Sequence, residues 1–411
     1  MIPFHYHHQE LYCEEVSLTL VAERCGTPLY VYSLSGMVEN YRRIDSALAG
    51  QRHRICYALK ANANPELLRR LASLGAGADV VSGGELRQAL QAGFPAEKIA
   101  FAGVGKTDDE IRLALRHRIL ALNVESREEL QVIASIAEQM QVQAPIAVRI
   151  NPNIDIDGHP YLTTGKSANK FGISLAEARD AYLWAATHKS LRLVGVHCHI
   201  GSMIKKAEPY RKMAETLVAF VADMKDQGIH LEHIDLGGGI GVDYSHVLAE
   251  HGSPFYIDPA DLAQELLPVL KATGCELIFE PGRSLVGPNG VLLASVLYTK
   301  QTAGKNFIVV DAGMNDLIRP SLYGAHHEIL PLQQKTAAME TADVVGPICE
   351  SGDFLAKDRL LPAMKRGERL AVMTAGAYGY VLSSQYNLRP RAAEVMVQGE
   401  SWQVVRERES L

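Results

Sequence analysis

The stretch Ile55-Cys-Tyr-Ala-Leu59, followed by Pro65-Glu-Leu-Leu-Arg-Arg-Leu71, decides the fold, because a short apolar run gives way to a helix-like pattern. The same succession follows in Ala78-Asp-Val-Val81 and Glu85-Leu-Arg-Gln-Ala-Leu90. A near-continuous apolar run predicts a strand buried on both faces, and the apolar spacing after it predicts a covering helix. Repeated pairs of strand and helix favour a parallel sheet.

Eight apolar runs of this kind follow one another along the first two thirds of the chain. They span residues 55–59, 78–81, 98–102, 119–124, 146–150, 194–197, 233–236 and 276–280. Eight strand and helix units over roughly 250 residues have the size of a (β/α)₈ TIM barrel. We therefore predict an α/β barrel over residues 30–282.

The pattern changes after residue 282, where strand-like runs are separated by turns with few helical patterns between them. These runs span residues 291–298, 307–311, 343–348, 369–374 and 393–397. They predict a second, all-β domain over residues 283–411, mainly antiparallel. Residues 1–29 are expected to contribute to it, with a strand near 12–13 and a helix near 16–21.

Composition excludes several classes of partner. The 411 residues carry a formal net charge of −6, which argues against nucleic acid or an anionic membrane surface. The first residues lack the pattern of a secretory signal, and no window of about twenty residues is apolar enough to span a bilayer. Six scattered cysteines without a CxxC pair are typical of reduced thiols. We predict a cytoplasmic protein.

Active-site groups of such barrels lie just past the C-terminal ends of the strands. Lys60 follows the first strand, where loss of solvent disfavours the charged ammonium and frees the amine to form a Schiff base. The competing interpretation is a lysine that simply reaches water. Asp79 lies in the second strand, and Ser82-Gly-Gly-Glu85 after it predicts by itself only a turn and a helix start.

Two histidines follow the sixth strand. His197 and His199 are two residues apart, so on a strand they share a face. Zinc is one interpretation of such a pair, but no third ligand follows at a recognisable spacing, and we predict no metal site. A histidine satisfied within the core is the other interpretation, which we favour for His197.

Glycine-rich segments follow the last two strands. Gly237-Gly-Gly-Ile-Gly241 and Glu280-Pro-Gly-Arg283 occupy the usual phosphate site of this barrel. The dinucleotide pattern G-x-G-x-x-G fails at Val242 or Tyr244, which favours another phosphorylated cofactor over NAD. A lysine nucleophile beside a phosphate site predicts pyridoxal phosphate, with Glu280 placed to keep its pyridine nitrogen protonated. The alternative is that the first segment is only a tight turn.

At these residues the sequence resembles the fold-type III pyridoxal-phosphate decarboxylases, the group of ornithine, diaminopimelate and arginine decarboxylases. The resemblance runs from Glu10-Leu-Tyr-Cys to Asn387-Leu-Arg-Pro-Arg and implies an alanine racemase-like pair of domains. It implies that Lys60 carries the cofactor, His199 stacks on its ring and Glu280 contacts its pyridine nitrogen. The cofactor contacts that it implies are Lys60, Asp79, His199, Ser202, Gly237, Gly238, Gly239, Glu280, Gly282, Arg283 and Tyr378.

The resemblance also assigns a substrate. Arg319-Pro-Ser-Leu-Tyr323 resembles a clamp for a distal carboxylate, which arginine grips in a bidentate manner. Cys349 matches a catalytic proton donor, in a segment that this family contributes across a homodimer interface, and Glu350 matches a contact for the distal ammonium. The implied reaction is decarboxylation of meso-2,6-diaminopimelate to L-lysine, the last step of lysine biosynthesis. The implied substrate contacts are Arg283, Arg319, Tyr323, Glu350 and Tyr378.

Other interpretations stay open from the residues alone. They are a sister decarboxylase acting on ornithine, arginine or carboxynorspermidine, a racemase on the same barrel, and a non-catalytic protein that binds the cofactor. Residues 158–172 are polar, have turn residues at both ends and resemble the family's active-site loop. We expect this loop to become ordered when substrate binds.

Overall fold

The computed structural model describes residues 2–154 and 170–410 of the chain. It divides into two compact units. The barrel unit consists of Arg42–Gly241 and Phe255–Gly282, and the β unit consists of Met1–Tyr41, Val242–Pro254 and Arg283–Leu411. Residues 158–169 of the predicted loop lie outside the described residues.

The strands of both units follow in chain order. They are β1 (Phe4–His7), β2 (Glu10–Cys13), β3 (Val16–Ser17), β4 (Leu29–Ser33), β5 (His53–Ala58), β6 (Gly77–Val80), β7 (Ile99–Phe101), β8 (Ala121–Val124), β9 (Ala144–Arg149), β10 (Leu191–His197), β11 (His233–Asp235), β12 (Glu276–Phe279), β13 (Gly290–Thr302), β14 (Lys305–Val310), β15 (Ile329–Pro331), β16 (Met339–Val345), β17 (Phe354–Pro362), β18 (Arg369–Val372), β19 (Ala393–Gln398) and β20 (Ser401–Arg406).

The helices alternate with the barrel strands and are sparse elsewhere. They are α1 (Leu18–Cys25), α2 (Leu34–Leu48), α3 (Pro65–Ser73), α4 (Gly83–Gln91), α5 (Asp108–His117), α6 (Arg127–Gln139), α7 (Leu175–Ala186), α8 (Glu208–Asp226), α9 (Pro259–Leu270), α10 (Arg283–Val286) and α11 (Arg319–Tyr323). None of these described helices is both long and apolar enough to cross a membrane.

The barrel unit is a closed ring of eight parallel strands, β5 to β12, which neighbour one another in chain order. Pairing of β12 with β5, at Leu277 with His53, closes the ring. Most residues of these strands are buried because helices cover the outside and side chains fill the inside. The predicted barrel is confirmed, and each of the eight predicted strands overlaps a strand of the ring.

Helix starts after the barrel strands are fixed by short polar side chains. Ser82, Thr107, Ser126 and Ser174 each accept a hydrogen bond from a backbone N–H in the first turn of the next helix. Such caps satisfy donors that have no partner within the helix. They define where each strand-to-helix loop ends, and these loops form the rim that carries the predicted site.

The β unit is built on a mainly antiparallel sheet in the order β17-β16-β14-β13-β4-β19-β20. The predicted all-β domain is therefore confirmed. β4 occupies the middle, antiparallel to β13 and parallel to β19. One core unites the β1–β3 hairpins, α1 and this sheet, with Leu11, Val31 and Val395 among its fully buried members.

Candidate active site

Lys60 and Asp79 form an ion pair at the C-terminal rim of the barrel. Lys60 lies in a single helical turn directly after β5, and Asp79 on β6 pairs in register with Ala58 on β5. The Lys60 side chain is 40% exposed, whereas that of Asp79 is inaccessible. The expectation that loss of solvent activates Lys60 therefore does not describe this rim, where a carboxylate holds the amine instead.

Glu280 is a buried carboxylate just past β12. One oxygen, Oε2, lies 3.5 Å from His197 Nε2. Burial alone raises the pKa of Glu280, but nearby His197 and Lys60 outweigh it and lower that pKa to about 2. Oε1 is buried and has no hydrogen-bond partner within the described chain. An ionised, buried oxygen of this kind fits a cationic N–H donor such as a protonated pyridine nitrogen.

Asp235, at the end of β11, is the partner that lets Glu280 ionise. Burial and the neighbouring charge of Glu280 raise the pKa of Asp235 well above its usual range. Two carboxylates in one buried place do not ionise together, so the proton stays on Asp235. Asp235 Oδ1 accepts a hydrogen bond of 2.9 Å from Gly237 N–H. The carboxyl pair of Asp235 and Glu280 is therefore in contact with the glycine loop.

His197 and His199 were predicted to share a face, but the side-chain atoms that could bind a metal do not converge between these two histidines. The converging atoms belong to His197, Asp235 and Glu280, and all lie within 4.8 Å of one another. A structural zinc site uses four ligands, whereas three converge here among the described residues. The absence of a metal site stays a prediction.

His199 and the glycine loop form a close backbone contact. His199 Nδ1 accepts a hydrogen bond of 3.2 Å from Gly238 N–H. Burial and the charges of Arg149 and Lys60 lower the pKa of His199 well below its usual range, so its ring is neutral. Gly237 and Gly239 adopt φ angles of +63° and +109°, which favour glycine.

No side chain fits at the centre of this loop. A Cβ on Gly238 would lie 2.0 Å from the carbonyl oxygen of Glu280, and one on Gly239 would lie 2.2 Å from that of Gly201. Two loop N–H groups already donate within the protein, to Asp235 and His199. The fit to a phosphate therefore depends on the close approach that the glycines permit. Gly282 is similarly tight, 3.1 Å from Ala58 Cβ in the same test.

One rim feature was missed by sequence reasoning. Arg149, the last residue of β9, donates to Glu125 Oε1 at 2.8 Å, and both are buried. Burial raises the pKa of Glu125, but the charge of Arg149 has the larger opposite effect. The net result is a pKa below the usual range. A charged residue ending a buried strand was the signal used for Lys60, and it would also have found Arg149.

Glu85 is a second acid near the ion pair, for which the sequence predicted only a helix start. Burial raises the pKa of Glu85 to about 7, partly offset by a hydrogen bond from Val81 N–H. No feature of the sequence distinguishes it from an ordinary capping glutamate.

The predicted Ser202 belongs to the barrel unit, in the segment after β10. The β unit holds the other remaining predicted residues, in two places. Arg283 and Arg319 lie on either side of Tyr244. Arg283 donates to the Tyr244 hydroxyl at 2.7 Å, and Arg319 lies 4.9 Å above the Tyr244 ring. Arg283 also stacks on Tyr378, whose φ of +55° marks a strained backbone. Tyr323 ends the helix that Arg319 begins.

Cys349 and Glu350 lie in the exposed segment after β16. The backbone N–H of Cys349 donates to Asn387 Oδ1 at 2.8 Å, and Glu350 N–H donates to Ile348 O. Their hydrogen bonds therefore remain within this surface and do not reach Arg319. All six cysteines are free, and Cys349 alone among them is exposed.

A parallel barrel with a rim lysine, an ionised buried glutamate and a glycine loop defines a pyridoxal-phosphate-binding class of protein. Comparison with known proteins agrees. Residues 34–287 match the family model described as "Pyridoxal-dependent decarboxylase, pyridoxal binding domain". The diaminopimelate decarboxylase of Aquifex aeolicus is 47% identical over 98% of this chain and 94% of its own length. That of Pseudomonas aeruginosa is also 47% identical, over 100% and 97%.

A solved structure gives the same result. The Helicobacter pylori diaminopimelate decarboxylase complexed with L-lysine superimposes with a TM-score of 0.90. It is 41% identical, over 95% of this chain and 96% of its own. The chain belongs to the pyridoxal-dependent decarboxylase family, in its diaminopimelate decarboxylase branch. The predicted enzyme class and the predicted cofactor, pyridoxal phosphate, are confirmed.

The first prediction concerns the glycine loop. Gly238→Ala places a methyl group against the backbone carbonyl of Glu280, at a cost of roughly 1–3 kcal/mol in strain. We expect cofactor affinity to fall on the order of tenfold or more, because the loop must move. The check is cofactor absorbance retained after gel filtration at a series of cofactor concentrations. Gly105→Ala is the control, since its Cβ meets open space. Equal retention by both variants contradicts the assignment of the loop to the phosphate.

Proposed function

We propose that this chain decarboxylates meso-diaminopimelate to L-lysine and CO₂. The observation that carries the substrate assignment is Arg319, which is 4% exposed. Its partners in the described chain are neutral, with His327 accepting at 2.8 Å and the ring of Tyr244 lying below it. A buried guanidinium with neutral partners favours a substrate that brings its own carboxylate.

The cofactor is assigned to the barrel rim. Pyridoxal phosphate, when bound, supplies an electron-accepting ring that takes up the electron pair left behind as CO₂ departs. Lys60 would hold it covalently, and Glu280 would keep its pyridine nitrogen protonated. His199 would lie on the ring face. The phosphate would be held by Ser202, Gly237, Gly238, Gly239, Gly282, Arg283 and Tyr378, with Asp79 behind the ring.

The charge arrangement at the rim supports these roles. Glu280 is held ionised because His197 and Lys60 lower its pKa below the usual range despite its burial, so it can hold a cationic nitrogen. Asp79 would accept a hydrogen bond from the Lys60 amine whenever that amine is free. The neutral ring of His199 adds no positive charge that would compete for the electron pair.

The distal end of the substrate is assigned to the β unit. Arg319 would hold the distal carboxylate, with the Tyr323 hydroxyl as a further donor and Glu350 as the partner of the distal ammonium. Arg283 and Tyr378 would complete these contacts. Holding the unreactive end orients the bond that breaks, which is how remote binding energy accelerates the reacting centre.

Cys349 is proposed to deliver a proton to the carbon that loses CO₂. Its thiol is exposed on the surface it shares with Glu350 and is not held among the Arg319 contacts. A homodimer in which each subunit supplies this segment to its partner's site accounts for a reactive group on an open surface. We propose such a dimer, in a cytoplasm that keeps the thiol reduced.

The second prediction is the substrate choice. The purified holoenzyme is offered meso-diaminopimelate, ornithine, arginine and lysine in parallel, and CO₂ and the product mass are measured. We expect CO₂ and lysine from diaminopimelate alone, because only that substrate has both a reacting carboxylate and a distal one. CO₂ from ornithine or arginine instead contradicts the substrate assignment. Racemisation without CO₂ from any of the four contradicts decarboxylation itself.

The third prediction concerns Arg319. Arg319→Ala removes the proposed carboxylate partner, and we expect kcat/KM for diaminopimelate to fall on the order of a hundredfold or more. Arg366→Ala, at an exposed arginine stacked on Tyr298, is the matched control. Initial rates across a range of substrate concentrations check both. Unchanged turnover by Arg319→Ala would favour a substrate without a distal carboxylate.

A further inference from the structure

We propose that His327 is a positioning residue that orients the Arg319 guanidinium group for the distal carboxylate, an inference that rests on the proposed function. His327 is fully buried and lies between α11 and β15. Its hydrogen-bond partners determine which ring nitrogen carries the proton and which one accepts.

The protonation state of His327 follows from its two hydrogen bonds. Nδ1 lies 2.8 Å from the carbonyl oxygen of Met373, which only accepts, so Nδ1 must carry the proton. Nε2 lies 2.8 Å from Arg319 Nη1, which only donates, so Nε2 must present its lone pair. Both contacts are satisfied by one neutral tautomer and by no other state of the ring.

Burial and the neighbouring arginine keep His327 in that state. Burial lowers the pKa of His327 well below its usual range, and the charge of Arg319 lowers it further. A protonated ring would place an N–H against the guanidinium N–H groups. The hydrogen bond to Met373, just past β18, anchors the ring to the sheet, where β15 pairs with β18. His327 thus links the long charged side chain of Arg319 to the backbone of the sheet.

A neutral acceptor suits an arginine that must bind an anion. A carboxylate at the position of His327 would pair with Arg319 and compete with the substrate for it. Imidazole fixes the direction of the guanidinium and leaves its charge unneutralised. Tyr244 completes the arrangement: its ring lies under Arg319 and meets the His327 ring edge-on, with centroids 5.1 Å apart.

Repulsion between the two arginines makes such support necessary. Burial raises the pKa of Tyr244, but Arg283 and Arg319 together outweigh it and lower that pKa, so both charges act on the same buried place. Two cations that share one neutral ring tend to separate unless each is held. Arg283 is held by the Tyr244 hydroxyl at 2.7 Å, and His327 does the same for Arg319.

The test compares two ligands that differ at the carboxylate. L-Lysine keeps the distal carboxylate and cadaverine lacks it, so only lysine should sense the orientation of Arg319. His327→Asn keeps a donor for Met373 but cannot reach Arg319, whereas His327→Gln keeps an acceptor oxygen at about the reach of Nε2. His326→Asn, at the exposed neighbour, is the matched control. Binding to each holoenzyme is measured by calorimetry.

We expect His327→Asn to weaken lysine binding on the order of tenfold to a hundredfold and to leave cadaverine binding unchanged. KM for diaminopimelate should rise by a similar factor with kcat changed far less, and His327→Gln should recover most of the loss. Equal weakening of lysine and cadaverine, or normal lysine binding by His327→Asn, overturns the proposal.

Two readouts keep this test independent of other failures. A wild-type protein that binds lysine but releases no CO₂ from diaminopimelate refutes the proposed function, while the lysine comparison still judges His327. Should the variants not fold, NMR of the wild-type protein with ¹⁵N-labelled histidine decides. A proton on Nδ1 of His327 supports the proposal, and a proton on Nε2 overturns it.

Discussion

Three carboxyl groups buried at one rim of the barrel constrain everything else at that rim. Removing a carboxylate from water is costly unless it is paired or protonated, and Asp79, Asp235 and Glu280 are almost wholly buried. Each of the three avoids an unpaired buried charge in a different way. Asp79 pairs with Lys60, Asp235 keeps a proton, and Glu280 remains ionised beside His197. One oxygen of Glu280 is left to bind a cation.

The glycine loop is tied to the same arrangement. Gly237 N–H binds Asp235, Gly238 N–H binds His199, and neither position has space for a side chain. The loop conformation, the neutral state of His199 and the proton on Asp235 therefore depend on one another. We expect a change at any of these residues to affect Glu280, the carboxylate proposed to contact the cofactor ring.

The β unit solves the opposite problem, that of buried positive charge. Arg283 and Arg319 are 7% and 4% exposed, and their supports are aromatic rings, a phenol oxygen and a neutral imidazole. The neutral His327 and Tyr244 hold the Arg319 guanidinium in place without cancelling its charge. This preserves its affinity for an anion, as the proposed substrate contact requires.

The sequence was sufficient where local pattern and fold agree. Eight apolar runs predicted the ring of strands. The rule that active-site groups lie at the C-terminal ends of barrel strands then predicted that Lys60, Asp79 and Glu280 lie at the rim, because a strand end fixes where its side chains lie. β4 escaped notice as the central strand of the β unit, since its partners β13 and β19 are distant in the chain. Tyr244 and His327 escaped for a similar reason: their roles depend on contacts with Arg283 and Arg319, which no local spacing encodes.

Every proposed role at the barrel rim depends on Lys60 carrying pyridoxal phosphate. Reduction of the holoenzyme with borohydride followed by peptide mass mapping tests it directly, because reduction makes the attachment permanent. We expect the mass of a phosphopyridoxyl group on the peptide that contains Lys60, at close to one per chain. The same mass on another lysine, such as the buried Lys106, or on none, would contradict it.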